Sequence, residues 1–199
     1  MSIRHETCYR FREPVPYALQ RVRLIPRNSP AQKILSWGIE LDGAVCEAEY
    51  DDQHGNRVVL LRAVEGTEAV SITCRGEVET DPDFRGITGE HSGYAPLWLF
   101  RQPTTLTRAG QEILGLASKI RSAEHADDIA MLHALSAAVL KCVSYRPGAT
   151  DVGTTAEEAV RLGKGVCQDQ THVFFAAARA LGFPARYGSG YLFMYDKRD

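Results

Sequence analysis

The sequence predicts an α+β chain in which strands come first and helices follow. Three observations predict it. Apolar residues alternate with period 2 through residues 1 to about 80, a Gly/Pro-rich stretch follows over 81–103, and the apolar period then becomes that of a helix. The expected organisation is an N-terminal antiparallel β-sandwich over 1–85, a connector over 86–102 and a second, mainly helical part over 103–199.

The strands are read in order. Ile3, His5, Thr7, Tyr9 and Phe11 alternate with Arg4, Glu6, Cys8 and Arg10, one face inward and one outward. Leu35, Trp37, Ile39 and Leu41 repeat the pattern, and so do Val70, Ile72, Cys74, Gly76 and Val78. Between them the turn formers Asp51, Asp52, Gln53, His54, Gly55 and Asn56 precede the apolar run over 58–61. Tyr9, Phe11, Leu24, Trp37, Ile39, Leu60 and Ile72 are expected to build this half's core.

The helices follow. Ile113, Leu116, Ala117 and Ile120 stand at i, i+3, i+4 and i+7, which predicts a helix starting near Thr107. Ile129, Leu132, Ser136, Val139 and Val143 mark a second. Thr155-Ala156-Glu157-Glu158 has the capping-box spacing and opens a third, which Gly163 ends. A fourth should run from about Cys167 to Leu181 on a stripe of Val173, Phe174 and Ala177, stopped by Gly182 and Pro184. A last strand is expected over 185–192, where Tyr187, Ser189 and Tyr191 alternate with Arg186, Gly188 and Gly190.

Composition excludes several classes. The 199 residues are 44% hydrophobic, ample for a core and too apolar for a disordered chain. Against 25 acidic side chains stand 23 basic ones, so the formal charge of −2 offers no basic field for nucleic acid. No apolar run approaches the ~18–20 residues that cross a bilayer, and the polar N-terminus has no signal-peptide core, so no membrane partner and a cytoplasmic location are expected. Cys8, Cys46, Cys74, Cys142 and Cys167 are odd in number and widely spaced, which argues against a disulfide framework or a zinc site.

The stretch from Gly163 through Lys164, Gly165, Val166, Cys167 and Gln168 to Asp169 is the most informative. Its glycines allow a sharp turn, and Cys167 follows where a helix begins. A helix N-terminus carries roughly half a positive charge and unpaired N–H groups. There a thiol is favoured as the thiolate that attacks carbonyl carbon, and the free N–H groups can hold the oxyanion that results. A phosphate loop is excluded, since Glu158 and Gly165 stand where that motif needs Gly and Ser or Thr.

A cysteine nucleophile needs a histidine base. Six are present. His172 lies five residues beyond Cys167, about 140° around the helix, so it faces away and is expected to be a hydrogen-bonded residue of the core or of the site's surround. His133 is expected to be a satisfied core histidine, His54 a turn residue, and His91 and His125 exposed. Neither these nor His5 stands on a strand following the cysteine helix, so spacing assigns no base.

Three blocks of the second half resemble the bacterial transglutaminase-like cysteine proteins. They are Thr154-Thr155-Ala156-Glu157-Glu158-Ala159, then Gly165-Val166-Cys167-Gln168-Asp169, and then Ala178 through Gly182-Phe183-Pro184-Ala185-Arg186-Tyr187 to Gly190-Tyr191-Leu192. His5-Glu6-Thr7 with Tyr9, Pro14-Val15, Arg23-Leu24-Ile25-Pro26-Arg27, Gln32, Asp52 and Gly55-Asn56 resemble the β-domain that precedes that core. The resemblance implies a papain-like fold for 103–199, with Cys167 as nucleophile and the N–H groups of Cys167 and Gln168 as oxyanion donors. It implies a peptide or protein amide as substrate, hydrolysed through an acyl-enzyme, or transferred to an amine in a true transglutaminase. A non-enzymatic binding module is the remaining alternative. No cofactor or metal is implied. The family's histidine and aspartate lie in His-Ala-Trp and Asp-Pro motifs beyond the Gly-Tyr-Leu segment, and neither motif occurs up to Asp199. Asp196 and Asp199 are not carried over as the acid. The chain is therefore expected to be truncated before those residues, inactive by itself, and able to self-associate through an open strand edge from Ala185 to residue 192.

Overall fold

Alternating side chains produce strands where expected. In the computed structural model, which describes residues 1–84, 86 and 94–191, β1 (Ser2–Val15), β3 (Gln32–Asp42) and β6 (Thr67–Thr80) form one antiparallel sheet in the order β1-β6-β3. A second sheet has the order β2-β5-β4, from β2 (Leu19–Val22), β4 (Ala44–Asp51) and β5 (Arg57–Ala63). The chain passes from the first sheet to the second at Gly43, whose φ of 72° and whose approach to Ala69 (a Cβ would lie 2.1 Å from its carbonyl oxygen) admit only glycine. Val59, Leu61, Val70 and Ile72 are buried between the sheets, with Phe11, Leu24 and Ile39 packed against them. Each fully buried Leu or Ile contributes roughly 1.5–3 kcal/mol.

Two expected core residues are placed differently. Tyr9 is 46% exposed, and Leu60 is only half-buried while its neighbours Val59 and Leu61 are buried. β5 is the central strand of its sheet, so both its faces are partly covered, and the core face is the one carrying Val59, Leu61 and Ala63. Asp52 closes the turn into β5. Its carboxylate accepts from Arg23 Nε at 2.8 Å, from the backbone N–H groups of His54 and Asn56 at 2.9 Å each, and from Asn56 Nδ2 at 3.1 Å.

The chain divides into two compact units, Met1–Ala95 and Pro96–Asp199. The second opens with a 3-10 helix, Leu97–Arg101, inside the stretch expected to be connector. Phe100 is buried, and its carbonyl accepts from Ala185 N at 3.1 Å and Arg179 Nε at 2.8 Å. Helices α1 (Gln111–Ser122), α2 (Asp128–Cys142), α3 (Ala156–Leu162) and α4 (Cys167–Ala180) surround a core of Ile113, Leu135, Val139, Val143, Val173 and Phe175. The first helix begins at Gln111, not Thr107, because Thr107 is buried and its hydroxyl accepts from Arg179 Nη1 at 2.8 Å. Helix α3 has the expected capping box of Thr155 and Glu158 and ends at Gly163 with φ 63°. Glu157 caps a different helix: its carboxylate accepts from the N–H groups of Gly110, Glu112 and Ile113 at the start of α1.

Residues 185–191 form no strand. A strand is defined by its ladder of hydrogen bonds to a neighbour, and among the described residues none pairs with this stretch. The strand expected over 185–192 is thus not formed over 185–191, and Leu192 lies outside the described residues. His91, Asp196 and Asp199 lie outside them too. Among the described residues no helix is long and apolar enough to cross a membrane.

Candidate functional site

Helix α4 begins at Cys167, where the sequence pattern places it. A two-stranded parallel sheet leads into it, β7 (Ser144–Tyr145) beside β8 (Lys164–Gly165). Arg146 N donates to Gly165 O at 2.7 Å and Ser144 N to Gly163 O at 3.0 Å, which fixes the turn from one side. Val166 is the N-cap and has no side-chain acceptor, so the usual cap bond to the first turn is missing. Asp169 supplies the reverse half, its Oδ2 accepting from Val166 N at 2.7 Å. The same oxygen accepts from Thr150 Oγ1 at 2.6 Å. Asp169 is 2% exposed and lies directly over Gly165, where a Cβ would stand 2.7 Å from Asp169 Cβ and Oδ2.

Cys167 is exposed at the first position of the helix. Among the described residues nothing accepts from the N–H groups of Cys167 and Gln168, as expected of a helix's first turn. The turn therefore presents an accessible thiol beside two free donors. That arrangement can add sulfur to a carbonyl carbon and stabilise the oxyanion formed. Farther along, Thr171 Oγ1 donates to Cys167 O at 2.7 Å, and Gln170 Nε2 donates to Val143 O at 2.8 Å, tying α4 to the end of α2.

The histidines differ from expectation in three places. His133 is exposed, because α2 turns Leu132 and Leu135 toward the core and leaves 133 outside. His172 is buried and faces away from Cys167 as the helical angle requires, but its Nδ1 has no hydrogen-bond partner among the described residues. Its ring meets Tyr187 edge-on at 6.2 Å between centroids. Burial holds the imidazole below its ordinary pKa, an effect partly opposed by the nearby Asp169 carboxylate. His125, expected exposed, is half-buried and its Nε2 bonds to Ile120 O at 2.8 Å. Among the described residues no histidine hydrogen-bonds to the Cys167 thiol.

Sequence reading missed two polar groups, one at each end of α4. Thr150 meets Asp169 across 19 residues of chain, a separation at which no local pattern applies. Arg179 holds the segment after α4, donating to Phe100 O, Thr107 Oγ1 and Ala185 O at 2.8 Å each and stacking its guanidinium 5.7 Å from the Phe175 ring centre. Cys8 and Cys46 are exposed alongside Cys167, so accessibility alone does not single out one thiol. Cys74 is buried, which pushes its thiol up.

A β-sandwich followed by a helical core with cysteine at the head of a helix defines a cysteine-dependent catalytic family. Residues 1–79 match the bacterial transglutaminase-like N-terminal region, and residues 115–197 match the transglutaminase-like superfamily core. The chain belongs to the transglutaminase-like superfamily, in the form that carries the bacterial N-terminal region. An uncharacterised protein of Mycobacterium leprae is 29% identical over 206 residues, covering 100% of this chain and 72% of that protein. One of Mycobacterium tuberculosis is 26% identical over 204 residues, and there the chain spans 65% of the relative's length. Among solved structures, a protein from Cytophaga hutchinsonii provisionally assigned as a cysteine protease superposes with TM-score 0.70 at 20% identity, covering 92% of this chain and 67% of that one. That likeness is one of fold.

Proposed function

We propose that the protein to which this chain belongs hydrolyses an amide or peptide bond through an acyl-enzyme on Cys167. The observation that carries this reading is the exposed thiol at the head of α4 beside the unclaimed N–H groups of Cys167 and Gln168. Sulfur adds to the carbonyl carbon, and the oxyanion lies against those two donors. As the carbon–nitrogen bond breaks, the amine leaves with a proton and the acyl group stays on sulfur. Water then cleaves the thioester, releasing the acid and restoring the thiol.

A nitrophenyl ester isolates the first half of this sequence, because nitrophenolate leaves without being protonated. The chain should release about one equivalent of nitrophenolate in a burst, and mass mapping should find the acyl group on Cys167. Cys167→Ala should abolish both. Adding an amine then separates hydrolysis from acyl transfer, since hydrolysis yields the free acid at an unchanged rate. Acylation of Cys8 or Cys46 in place of Cys167, or a burst that survives Cys167→Ala, would sink the reading.

A further inference from the structure

We infer that Thr150 and Asp169 are positioning residues for Cys167, forming a brace that sets the nucleophile's turn from the 146–154 loop. The inference rests on the acyl-enzyme reading above and concerns how the same turn is held. Three observations carry it. Val166 cannot cap α4 with its own side chain, so the carboxylate of Asp169 is what fixes the N-cap backbone, at 2.7 Å. The oxygen that does so also accepts the Thr150 hydroxyl at 2.6 Å, and among the described residues no lysine or arginine pairs with Asp169. Gly165 leaves room for the carboxylate over the turn, at a distance no Cβ would permit.

These contacts make Thr150 the external anchor of the site. The loop starts at Arg146, whose N–H is bonded to Gly165 O at 2.7 Å, and Thr150 ties it a second time through Asp169. The turn bearing Cys167 is thus clamped between β7 and the carboxylate. Loss of the Thr150 hydroxyl leaves Asp169 held only by the Val166 N–H that it should itself be holding. The N–H groups of Cys167 and Gln168 then lose their fixed relation to the sulfur, and oxyanion stabilisation is sensitive to displacements well under 1 Å.

Two reagents separate positioning from mere accessibility. Iodoacetamide alkylates the thiolate by direct displacement and forms no oxyanion, whereas nitrophenyl acetate must pass through one. In Thr150→Val the rate of ester acylation of Cys167 should fall about tenfold while alkylation stays within about twofold, and Thr150→Ser should restore the ester rate. Amide exchange gives a readout independent of reactivity: protection at Val166 should fall in Thr150→Val and return in Thr150→Ser. Equal losses in both chemistries would mean a general disturbance of the turn and would overturn the brace, as would unchanged ester acylation. A parent chain whose Cys167 is alkylated but never acylated would instead defeat the acyl-enzyme reading and the brace with it.

Discussion

Asp52 in the N-terminal unit and Asp169 in the C-terminal unit are both buried carboxylates that close a turn, yet they are satisfied by different chemistry. Asp52 accepts four hydrogen bonds over both oxygens, one of them from the Arg23 guanidinium. Burial alone would raise its carboxyl, but Arg23 and the donors of Asn56 and His54 outweigh that and hold it well below the usual carboxylate range. Asp169 accepts two bonds, both on Oδ2, with no cation among the described residues. The first carboxylate is a closed lock: each of its oxygens accepts two hydrogen bonds. The second holds the helix by one backbone donor and leaves the next two, on Cys167 and Gln168, open. The turn at Asp52 is filled with partners; the turn proposed to present Cys167 keeps its donors vacant.

The largest effect should come from breaking the closed lock. Asp52→Ala strands two backbone donors and takes away the partner of the half-exposed Arg23, and should cost about 2–3 kcal/mol in the N-terminal unit. Amide exchange resolved along the chain should show the loss in β4 and β5, with the iodoacetamide rate at Cys167 unchanged. A loss below about 1 kcal/mol would mean that Asp52 is no more than a surface turn residue and would remove half of the comparison.

The two carboxylates also differ in how far they could be read from the sequence. Asp52 stands within a run of turn formers, and its partners His54 and Asn56 are two and four residues away, so the turn was legible as a turn. The helix ends were legible for the same reason, since the Thr155 box and the Gly163 stop are local chemistry. The head of α4 at Cys167 was legible because two glycines and a returning apolar stripe bracket it. Strands β2 and β4 were not. β2 has only four residues, and in β4 Cys46, Ala48 and Tyr50 do alternate with Glu47, Glu49 and Asp51, but all six are exposed and only Ala44 is buried, so that alternation marks no core face. Thr150 and Glu157 act on partners 19 and 44 or more residues away, and only the folded chain brings them together.

Glu157 offers the next test, within the C-terminal unit. Its side chain is 13% exposed and caps the first turn of α1 from α3, while Arg161 reaches it at only 3.4 Å. Glu157→Ala should cost about 1–2 kcal/mol, the scale of a lost N-cap. Exchange should rise first in α1, with the N-terminal unit unaffected. Glu157→Gln keeps acceptor capacity and should lose less. Equal losses for Ala and Gln would show that helix charge, not hydrogen bonding, dominates this cap.

Acid should separate the units with a smaller effect. Burial makes His172 bind its proton less readily in the folded chain than in the unfolded one, where its pKa is near 6.5. Its contribution is therefore whole above about 6.5 and is lost as pH falls below that. Asp52 is held below its unfolded value of 3.8, so its contribution is whole above about 4 and is lost only in stronger acid. Between pH 7.5 and 5.5 the C-terminal unit should weaken while the N-terminal unit keeps its protection. His172→Gln should flatten that dependence, and Asp52→Asn should leave it as it was. If His172→Gln leaves the slope intact, another group carries the titration.

The smallest effect contrasts two glycines on adjacent strands of the first sheet. Gly76 in β6 lies opposite Trp37 in β3, and a Cβ there would meet the Trp37 ring at 2.3 Å and the Ser36 carbonyl oxygen at 2.4 Å. Gly38, one residue along β3, has nothing within 4 Å of the same position and takes an ordinary extended conformation. Alanine at 38 therefore meets no atom in the folded chain and restricts the unfolded one. Gly38→Ala should stabilise the N-terminal unit by about 0.5 kcal/mol. Gly76→Ala should destabilise it, because the ring must move and the Ser36 backbone has little room to follow. The pair is read from urea midpoints at constant slope, and Cys167 chemistry should respond to neither. A Gly38→Ala variant that unfolds at lower urea would show that the open space beside β3 is used by the chain, and the sandwich would then be less finished than its closed lock at Asp52 suggests.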